Sequence, residues 1–237
     1  MLPIKGLHKT SLIDYPPYTS SVVFVGGCNF RCGYCQNAEL VINHKEIASY
    51  DEKYVCDFLR KKSKWLDALV ITGGEPTLYI ELVDFVREVK NLGLKIKLDT
   101  NGTNPDLIWD MLDEGLLDYV AMDIKAPIDK YEKVTVFPVE IEKIKRTITL
   151  IKNSKNLDYE FRTTVLPELL TMEDLEKIGN WINGAKRFVI QPFRNSKNLL
   201  DKRFETKKGY EIKELYELKE IMKPYVDEVI LRSEYIT

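Results

Sequence analysis

Short apolar runs rich in β-branched residues alternate along this chain with longer stretches whose apolar residues recur every three or four positions. The runs lie at 21–25, 68–72, 94–99, 118–124, 159–165 and 187–193, and a weaker one lies at 227–232. The helix-like stretches include 51–65, 78–93 and 171–182. This alternation indicates strand–helix–strand units with right-handed crossovers, and so predicts an α/β fold with a mostly parallel sheet and helices outside it.

Six strand–helix units are too few for an eight-stranded closed barrel. We therefore expect a partial (β/α)6 TIM-like barrel, with a flat doubly wound sheet as the competing architecture. The chain has no linker rich in Pro, Gly or Ser, so residues 1–237 are expected to form a single domain. Residues 1–20 would be a lead-in near the barrel mouth, residues 21–193 the barrel core, and residues 194–237 a C-terminal helix and the weaker strand.

Residues that favour helix ends agree with this division. Asp51 and Thr171 are good N-caps, Pro105 and Pro127 lie near predicted helix starts, and Gly93 suits a helix C-terminus. Core positions within predicted helices are expected for Trp65, Trp109 and Trp181.

The charge balance excludes some classes of function. The 237 residues contain 35 Lys and Arg against 37 Asp and Glu, so no strong positive field exists to bind a long nucleic acid. No apolar run approaches the roughly 20 residues of a membrane-spanning helix. The first residues lack the apolar segment of a secretory signal. We expect a cytoplasmic protein whose four cysteines are reduced.

The strongest chemical signal is the segment GGCNFRCGYCQN at 26–37, directly after the first run. Its cysteines, Cys28, Cys32 and Cys35, are spaced by four and then three residues. Three thiolates on one loop can hold three corners of a cubic iron–sulfur cluster and leave its fourth iron without a protein ligand. A disulfide would leave one thiol over, and structural zinc needs a fourth ligand. Cys56 reads as a small core residue on a helix.

Polar motifs follow later runs at the points where parallel strands should end. Gly73, Gly74 and Glu75 follow the second run, where glycines permit close approach of a ligand to the backbone. Asp99 and Thr100 end the third run within Asp-Thr-Asn-Gly, a segment that could equally be an ordinary turn.

Charged residues mark the last strands of the predicted sheet. Asp123 and Lys125 lie at the end of the fourth run, with both side chains on one face of the strand. They could form the rim of a site, or they could form a local ion pair. Arg162 lies inside a strand expected to be buried and so needs an anion. Gln191, at the end of the sixth run, could border a ligand or could cap a loop.

These motifs, with Tyr34 before the last cysteine, resemble those of the radical S-adenosylmethionine (SAM) enzymes. The resemblance implies a [4Fe–4S] cluster on Cys28, Cys32 and Cys35, which binds SAM and cleaves it to a 5′-deoxyadenosyl radical. It also implies that the cofactor contacts ten further residues. These are Tyr34, Gly73, Gly74, Glu75, Asp99, Thr100, Asp123, Lys125, Arg162 and Gln191.

Individual roles follow from the same resemblance. The Gly-Gly-Glu turn would receive the ammonium of SAM, whereas Lys125 and Arg162 would face its carboxylate. Asp99 and Asp123 would flank the methionyl group, with a shared monovalent cation as a further candidate ligand.

Along nearly the whole chain, the order of the motifs is similar to that of activating enzymes of glycyl-radical enzymes, in particular those of anaerobic ribonucleoside-triphosphate reductase. That similarity implies hydrogen abstraction from one Gly of a transiently bound partner enzyme, with an electron donor such as flavodoxin or ferredoxin. Two positions depart from the pattern, because Pro17 and Val136 stand where those enzymes carry Gly.

Other functions remain open from the sequence. A radical enzyme of the 7-deazaguanine-forming type would act on a small molecule, and an RNA-modifying enzyme would need a basic stripe. The basic run at 60–64 reads instead as the solvated face of a helix. A zinc-bound interaction module would contain zinc without iron.

Overall fold

The computed structural model describes residues 1–232 and contains eight strands and eight α-helices within that range. The strands are β1 (Ile4–Ser11), β2 (Ser20–Val25), β3 (Ala68–Gly73), β4 (Lys95–Thr100), β5 (Tyr119–Asp123), β6 (Asp158–Val165), β7 (Ala185–Pro192) and β8 (Val226–Leu231). The helices are α1 (Ala38–Ile42), α2 (Glu52–Lys62), α3 (Glu81–Lys90), α4 (Pro105–Asp113), α5 (Tyr131–Thr135), α6 (Ile141–Asn153), α7 (Met172–Ile182) and α8 (Ile212–Met222).

The strands form one open sheet in the order β1 to β8. Strand β2 is parallel to β3 and β3 to β4, and the pairs β6–β7 and β7–β8 are also parallel. Residues 68–71 of β3 are buried on both faces, as expected for a strand covered by helices. The predicted α/β class with a mostly parallel, open sheet is confirmed, and all seven predicted strands are present.

Helix ends follow the chemistry of the capping residues. The Asp51 carboxylate accepts a hydrogen bond from the Lys53 backbone N–H at the start of α2. Thr171 and Asp174 form a reciprocal capping box at the start of α7, and Pro105 is the first residue of α4. The predictions for Asp51, Thr171 and Pro105 are confirmed.

The first twenty residues contain a strand that the sequence analysis did not predict. Strand β1 is antiparallel to β2, with Ile4 opposite Val25 and Ser11 opposite Ser20. The start of β1 therefore lies beside the strand end that leads into the cysteine segment. Residues 14–17, which include Pro17, follow β1 and lie at the opposite end of β2. The lead-in was expected near the barrel mouth, and it does not lie there as a whole.

The chain divides into two compact units, and the single-domain organisation stays a prediction. The first unit comprises Met1–Asn29, Glu39–Ala121 and Lys143–Asp158. Its core includes Tyr15 and Tyr119, whose ring centroids are 5.3 Å apart. The buried Lys97 ammonium lies 5.3 Å from the Tyr119 ring centroid and donates to the Asp14 carbonyl at 2.7 Å.

The second unit comprises Phe30–Ala38, Met122–Glu142 and the described chain from residue 159 onward. Its core includes the fully buried rings of Phe161, Phe188 and Tyr131. The Tyr131 ring meets Trp181 edge-on at 6.0 Å between centroids. Helix α8 and strand β8 lie within the segment 194–237, whose last residues, 233–237, lie outside the described chain.

Two of the three tryptophan predictions are wrong. The exposed fractions of Trp65 and Trp109 are 78% and 47%, because Trp65 follows the end of α2 and Trp109 lies on the solvent side of α4. The basic run at 60–64 is solvated, as predicted. In the described part of the chain, no helix is both long and apolar enough to cross a membrane.

Val136, one of the two departures from the family pattern, ends α5 in the left-handed backbone region with φ of 53° and ψ of 34°. A β-branched side chain is disfavoured in that region because its Cβ crowds the neighbouring carbonyl. The Val136 side chain is 61% exposed, so little apolar burial offsets this strain.

We expect Val136→Gly to raise the free energy of unfolding by roughly 0.5–1 kcal/mol, because relief of left-handed strain exceeds the added entropy of the unfolded chain. Chemical denaturation measures this change. Phe137→Gly at the adjacent exposed position is the control and should lower stability. Equal losses for both variants would contradict the strain assigned to Val136.

Candidate active site

The cysteine segment leaves β2 and enters the second unit between Asn29 and Phe30. None of the four cysteines, all of which lie in the described chain, forms a disulfide: Cys32 is buried, and Cys28 and Cys35 are partly exposed. Burial raises the pKa of the Cys32 thiol, and the nearby Lys125 ammonium partly opposes that shift. Cys56 lies on α2 away from this segment, fully buried, which confirms its reading as a core residue.

A close backbone approach joins the start of the cysteine segment to the turn after β3. The Gly74 N–H donates to the Val25 carbonyl at 2.8 Å, and the Glu75 N–H donates to the Gly27 carbonyl at 2.7 Å. A Cβ on Gly74 would lie only 1.9 Å from the Gly27 carbonyl oxygen. Glycine is required here because two backbones meet where a side chain would otherwise lie.

The Glu75 carboxylate is fully buried and connects this turn to the end of β4. One oxygen accepts from the Thr77 N–H at 3.1 Å, the Thr77 hydroxyl at 2.5 Å and the Thr100 hydroxyl at 2.7 Å. The other accepts from the Asn101 N–H at 2.6 Å. Burial raises the pKa of Glu75, and these four donors oppose the rise. The geometry gives Glu75 a positioning role, and its contact with a cofactor stays a prediction.

The end of β4 carries a network of which the sequence analysis recognised only part. The Thr72 hydroxyl donates to Asp99 at 3.2 Å. The buried Asn101 side chain donates to the Asn29 amide oxygen at 2.8 Å, and Asn29 donates to the Thr103 hydroxyl at 2.9 Å. Asn29 directly follows Cys28, so Asn101 orients the residue beside a predicted metal ligand. The position of both asparagines within quoted motifs was the available signal for this contact.

In the second unit, Asp123 lies between two cations. Its Oδ1 is 2.5 Å from Arg162 Nε, and its Oδ2 is 2.9 Å from Lys125 Nζ. Burial would raise the pKa of Asp123, but the two cations outweigh it and hold that pKa well below its usual range. Burial lowers the pKa of Lys125, but Asp123, Tyr34 and Cys32 together raise it well above its usual range. Arg162 is 7% exposed, so its predicted burial and need for an anion are confirmed.

Two further residues predicted from the sequence, Tyr34 and Gln191, belong to the same unit. Tyr34 is buried, and burial raises the pKa of its hydroxyl. Gln191 is near the end of β7, where its side-chain oxygen lies 3.5 Å from the Thr164 hydroxyl.

The donor chemistry of the chain fits an iron–sulfur cluster and an amino-acid cofactor. Three thiols on one segment provide soft ligands, and a carboxylate with two cations can bind an ammonium and a carboxylate. Within residues 1–232, no three His, Cys, Asp or Glu side chains are arranged around a single-ion site.

A comparison with protein families decides the identity of this chain, because residues 22–182 match the model of the radical SAM superfamily. The chain belongs to the radical SAM superfamily. Membership implies a [4Fe–4S] cluster and SAM as its cofactors, and the chain is a radical SAM enzyme.

Two relatives show where the chain lies within this superfamily. It is 36% identical over 235 residues to a protein of Methanocaldococcus jannaschii named "Putative glycyl-radical enzyme activating enzyme MJ1227", which covers 97% of this chain and 95% of the relative. It is 25% identical over 190 residues to 7-carboxy-7-deazaguanine synthase of Aquifex aeolicus, covering 77% of this chain and 72% of the relative.

The fold is shared with solved radical SAM structures. Streptococcus suis SuiB bound to the precursor peptide SuiA superposes with a TM-score of 0.65 at 16% identity, covering 88% of this chain and 48% of SuiB. This likeness confirms the predicted partial-barrel fold class, and the chain spans about half the length of SuiB.

We expect Gly74→Ala in this radical SAM enzyme to lose at least 2 kcal/mol of unfolding free energy, because the new Cβ displaces the Gly27 backbone. Gly115→Ala is the control, since a Cβ on Gly115 meets no atom within 4 Å, and its positive φ of 66° adds a backbone strain that Gly74 does not have. The control should lose about 1 kcal/mol from its backbone conformation alone. Chemical denaturation of the cluster-free protein checks both values, and equal losses would contradict the contact.

Asp123→Asn should lower the unfolding free energy of the cluster-free protein at pH 7 by roughly 2–3 kcal/mol, since two partly buried cations lose their counter-ion. The lowered pKa of Asp123 stabilises the folded state above the ordinary aspartate pKa of about 4, and this stabilisation disappears as pH falls through the lowered value. The difference from wild type should therefore shrink below about pH 4. Denaturation curves between pH 3 and 7 measure it, and a pH-independent difference would contradict the assignment.

Proposed function

We propose that this radical SAM enzyme activates a glycyl-radical enzyme by abstracting one hydrogen atom from a Gly α-carbon of that partner. The observation that carries the proposal is the 36% identity to the M. jannaschii protein over nearly the full length of both chains. The likeness includes regions beyond the cofactor motifs, so it favours a shared substrate class as well as a shared cofactor.

Anaerobic ribonucleoside-triphosphate reductase is the proposed partner. The motif order from residue 9 to residue 193 supports it. A glycyl radical must be shielded from solvent, so the reductase has to present its Gly loop during a transient encounter. Such an encounter needs only a modest interface.

Cys28, Cys32 and Cys35 are the proposed cluster ligands. When bound, the cluster and SAM supply a carbon-centred radical by one-electron reductive cleavage. The chain itself fixes the segment that carries these thiols, through the backbone contact of Gly27 with Glu75 and through the Asn101 amide that holds Asn29.

The amino-acid end of SAM is proposed to bind the charged side chains. Lys125 and Arg162 would bind the carboxylate of SAM, with Asp123 between them beside the methionyl group, and the turn at Gly73, Gly74 and Glu75 would bind the ammonium. Asp123 and Lys125 stay ionised at neutral pH despite their burial, because Arg162 and Lys125 lower the pKa of Asp123 and Asp123 raises the pKa of Lys125.

The remaining predicted cofactor residues are assigned on motif position. They are Tyr34, Gly73, Gly74, Glu75, Asp99, Thr100 and Gln191, with a monovalent cation proposed at Asp99 and Asp123. We also propose a cytoplasmic location, which the lack of a disulfide among the four cysteines supports.

The second candidate is a radical enzyme acting on a small molecule of the 7-deazaguanine type. The 25% identity to the A. aeolicus synthase favours it. That relative shares less of its sequence with this chain than the M. jannaschii protein does, so activation of a glycyl-radical enzyme is the stronger proposal.

Anaerobic incubation of the reconstituted, reduced enzyme with SAM and the reductase should give a glycyl-radical doublet by electron paramagnetic resonance. Formation of 5′-deoxyadenosine should accompany it. Cofactor cleavage without the doublet would reject this partner, and turnover of a deazaguanine precursor in its place would favour the second candidate.

Cys28→Ala, Cys32→Ala and Cys35→Ala should each abolish 5′-deoxyadenosine formation, since loss of one thiolate leaves the cluster without a ligand. Cys56→Ala is the matched control, because this buried cysteine lies outside the motif, and it should retain activity. Retained cleavage in any of the first three variants would contradict the ligand assignment.

A further inference from the structure

Asn101 directly follows β4, and its side-chain amide belongs to a closed ring of hydrogen bonds in the first unit. Asn101 Nδ2 donates to Asn29 Oδ1 at 2.8 Å, and Asn29 Nδ2 donates to the Thr103 hydroxyl at 2.9 Å. The Thr103 hydroxyl closes the ring by donating to Asn101 Oδ1 at 2.7 Å. Because each member donates to the next, the ring fixes which end of each amide is nitrogen and which is oxygen.

The ring uses one of the two N–H groups that an asparagine amide carries. The other is directed at Cys28, since Asn101 Nδ2 lies 4.0 Å from Cys28 Sγ. That distance is long for a hydrogen bond to a neutral thiol. A thiol that binds a metal is deprotonated, however, and the charge on its sulfur strengthens the attraction for an N–H group. Asn101 therefore reaches the sulfur of a proposed cluster ligand.

The chain itself fills the hydrogen-bonding capacity of this amide. Asn101 Oδ1 accepts from the Thr103 N–H at 3.0 Å as well as from the Thr103 hydroxyl, so both of its lone pairs are engaged. Its backbone N–H donates to Glu75 Oε2 at 2.6 Å, and Asn101 is 4% exposed. With its two N–H groups directed at Asn29 and Cys28, the amide is held by protein atoms on every side. This arrangement favours a role toward the ligand sulfur over direct binding of a cofactor or substrate.

Hydrogen bonds to sulfur help to set the reduction potential of an iron–sulfur cluster. We infer that the Asn101 amide raises the reduction potential of the cluster by donating to the sulfur of Cys28. Reduction adds negative charge to the cluster and its thiolates, so an N–H dipole aimed at one sulfur stabilises the reduced state more than the oxidised state. One electron enters from an external reductant such as dithionite, which is oxidised, and no covalent bond of Asn101 changes. The inference rests on the proposed ligand role of Cys28.

Two substitutions separate this electrostatic role from a purely structural one. Asn101→Ala removes the whole amide. Asn101→Asp keeps its size and the oxygen that Thr103 binds, but replaces the N–H donor by a negatively charged oxygen, to which the Asn29 amide can turn and donate. A structural role would leave Asn101→Asp closer to the wild type than Asn101→Ala. The electrostatic role predicts the opposite order, because an anion beside the sulfur opposes reduction.

The measurement is the reduction potential of the reconstituted cluster without SAM, followed anaerobically by absorbance. It is made at about pH 9, where a carboxyl group is ionised even if burial raises its pKa by several units. At the wild-type midpoint, Asn101→Ala should lower the ratio of reduced to oxidised cluster about threefold, and Asn101→Asp at least tenfold, which corresponds to ~59 mV for a one-electron couple.

Thr103→Val is the matched control. It removes a hydroxyl of the ring but leaves the Asn101 amide, whose oxygen still accepts from the backbone N–H of residue 103. The ratio should therefore change less than about twofold, since the N–H directed at Cys28 is retained. Iron and sulfide contents show that each variant carries the cluster.

Pulsed electron paramagnetic resonance of the reduced cluster supplies a second readout. When a heavy nitrogen isotope is introduced only in asparagine side-chain amides, the wild type should show a nitrogen hyperfine coupling. Asn101→Ala should lack this coupling, and Thr103→Val should retain it. The labelled wild type tests the contact without any substitution.

Several results would overturn the inference. They are a potential of Asn101→Asp closer to the wild type than that of Asn101→Ala, loss of the cluster from both Asn101 variants, and no coupling in the labelled wild type. A wild type that stays colourless after reconstitution would overturn the ligand role of Cys28 and the inference with it. Neither readout involves the reductase, so a missing glycyl radical would contradict the proposed partner alone.

Discussion

The contact on which the site depends is the approach of two backbones, where the turn after β3 meets the residues that precede Cys28. Two N–H groups of that turn, from Gly74 and Glu75, satisfy carbonyls of Val25 and Gly27. The space left between them is too small for a Cβ. Because buried peptide groups need partners, these bonds fix where the cysteine segment starts. The buried Glu75 carboxylate then ties the same turn to the end of β4, so three consecutive strand ends are held together.

A second constraint is electrostatic. Burying Asp123, Lys125 or Arg162 alone would cost a large desolvation free energy. Each charge is tolerated because the opposite charges beside it offset that cost. Glu160 also lies 3.9 Å from Arg162, so two carboxylates face two cations, which suits a ligand that brings a carboxylate together with an ammonium. Such charges are already ordered before a ligand arrives, so binding costs less reorganisation.

The strands could be predicted because buried parallel strands have continuous runs of β-branched residues in their sequence. Few other structures have such runs. The candidate cluster ligands and cofactor residues could be predicted in the same way, from the cysteine spacing and from the motifs at the strand ends. Strand β1 was missed because Gly6, His8 and Lys9 interrupt its apolar pattern and its partner lies beyond a loop. Trp65 and Trp109 were placed in the core on residue type alone, although large aromatic residues are often partly exposed. The Asn29–Asn101 bond joins residues more than seventy positions apart, and no local pattern encodes such a contact.

The antiparallel pairing of β1 with β2 has a consequence for how such a chain can diverge. The six residues of β2 span about 20 Å, with the cysteine segment at one end and the motif containing Pro17 at the other. Substitutions at the far end act on a loop that the length of β2 separates from the cysteine segment. Residues around position 17 can therefore be substituted during evolution while the redox chemistry at the other end of β2 is preserved.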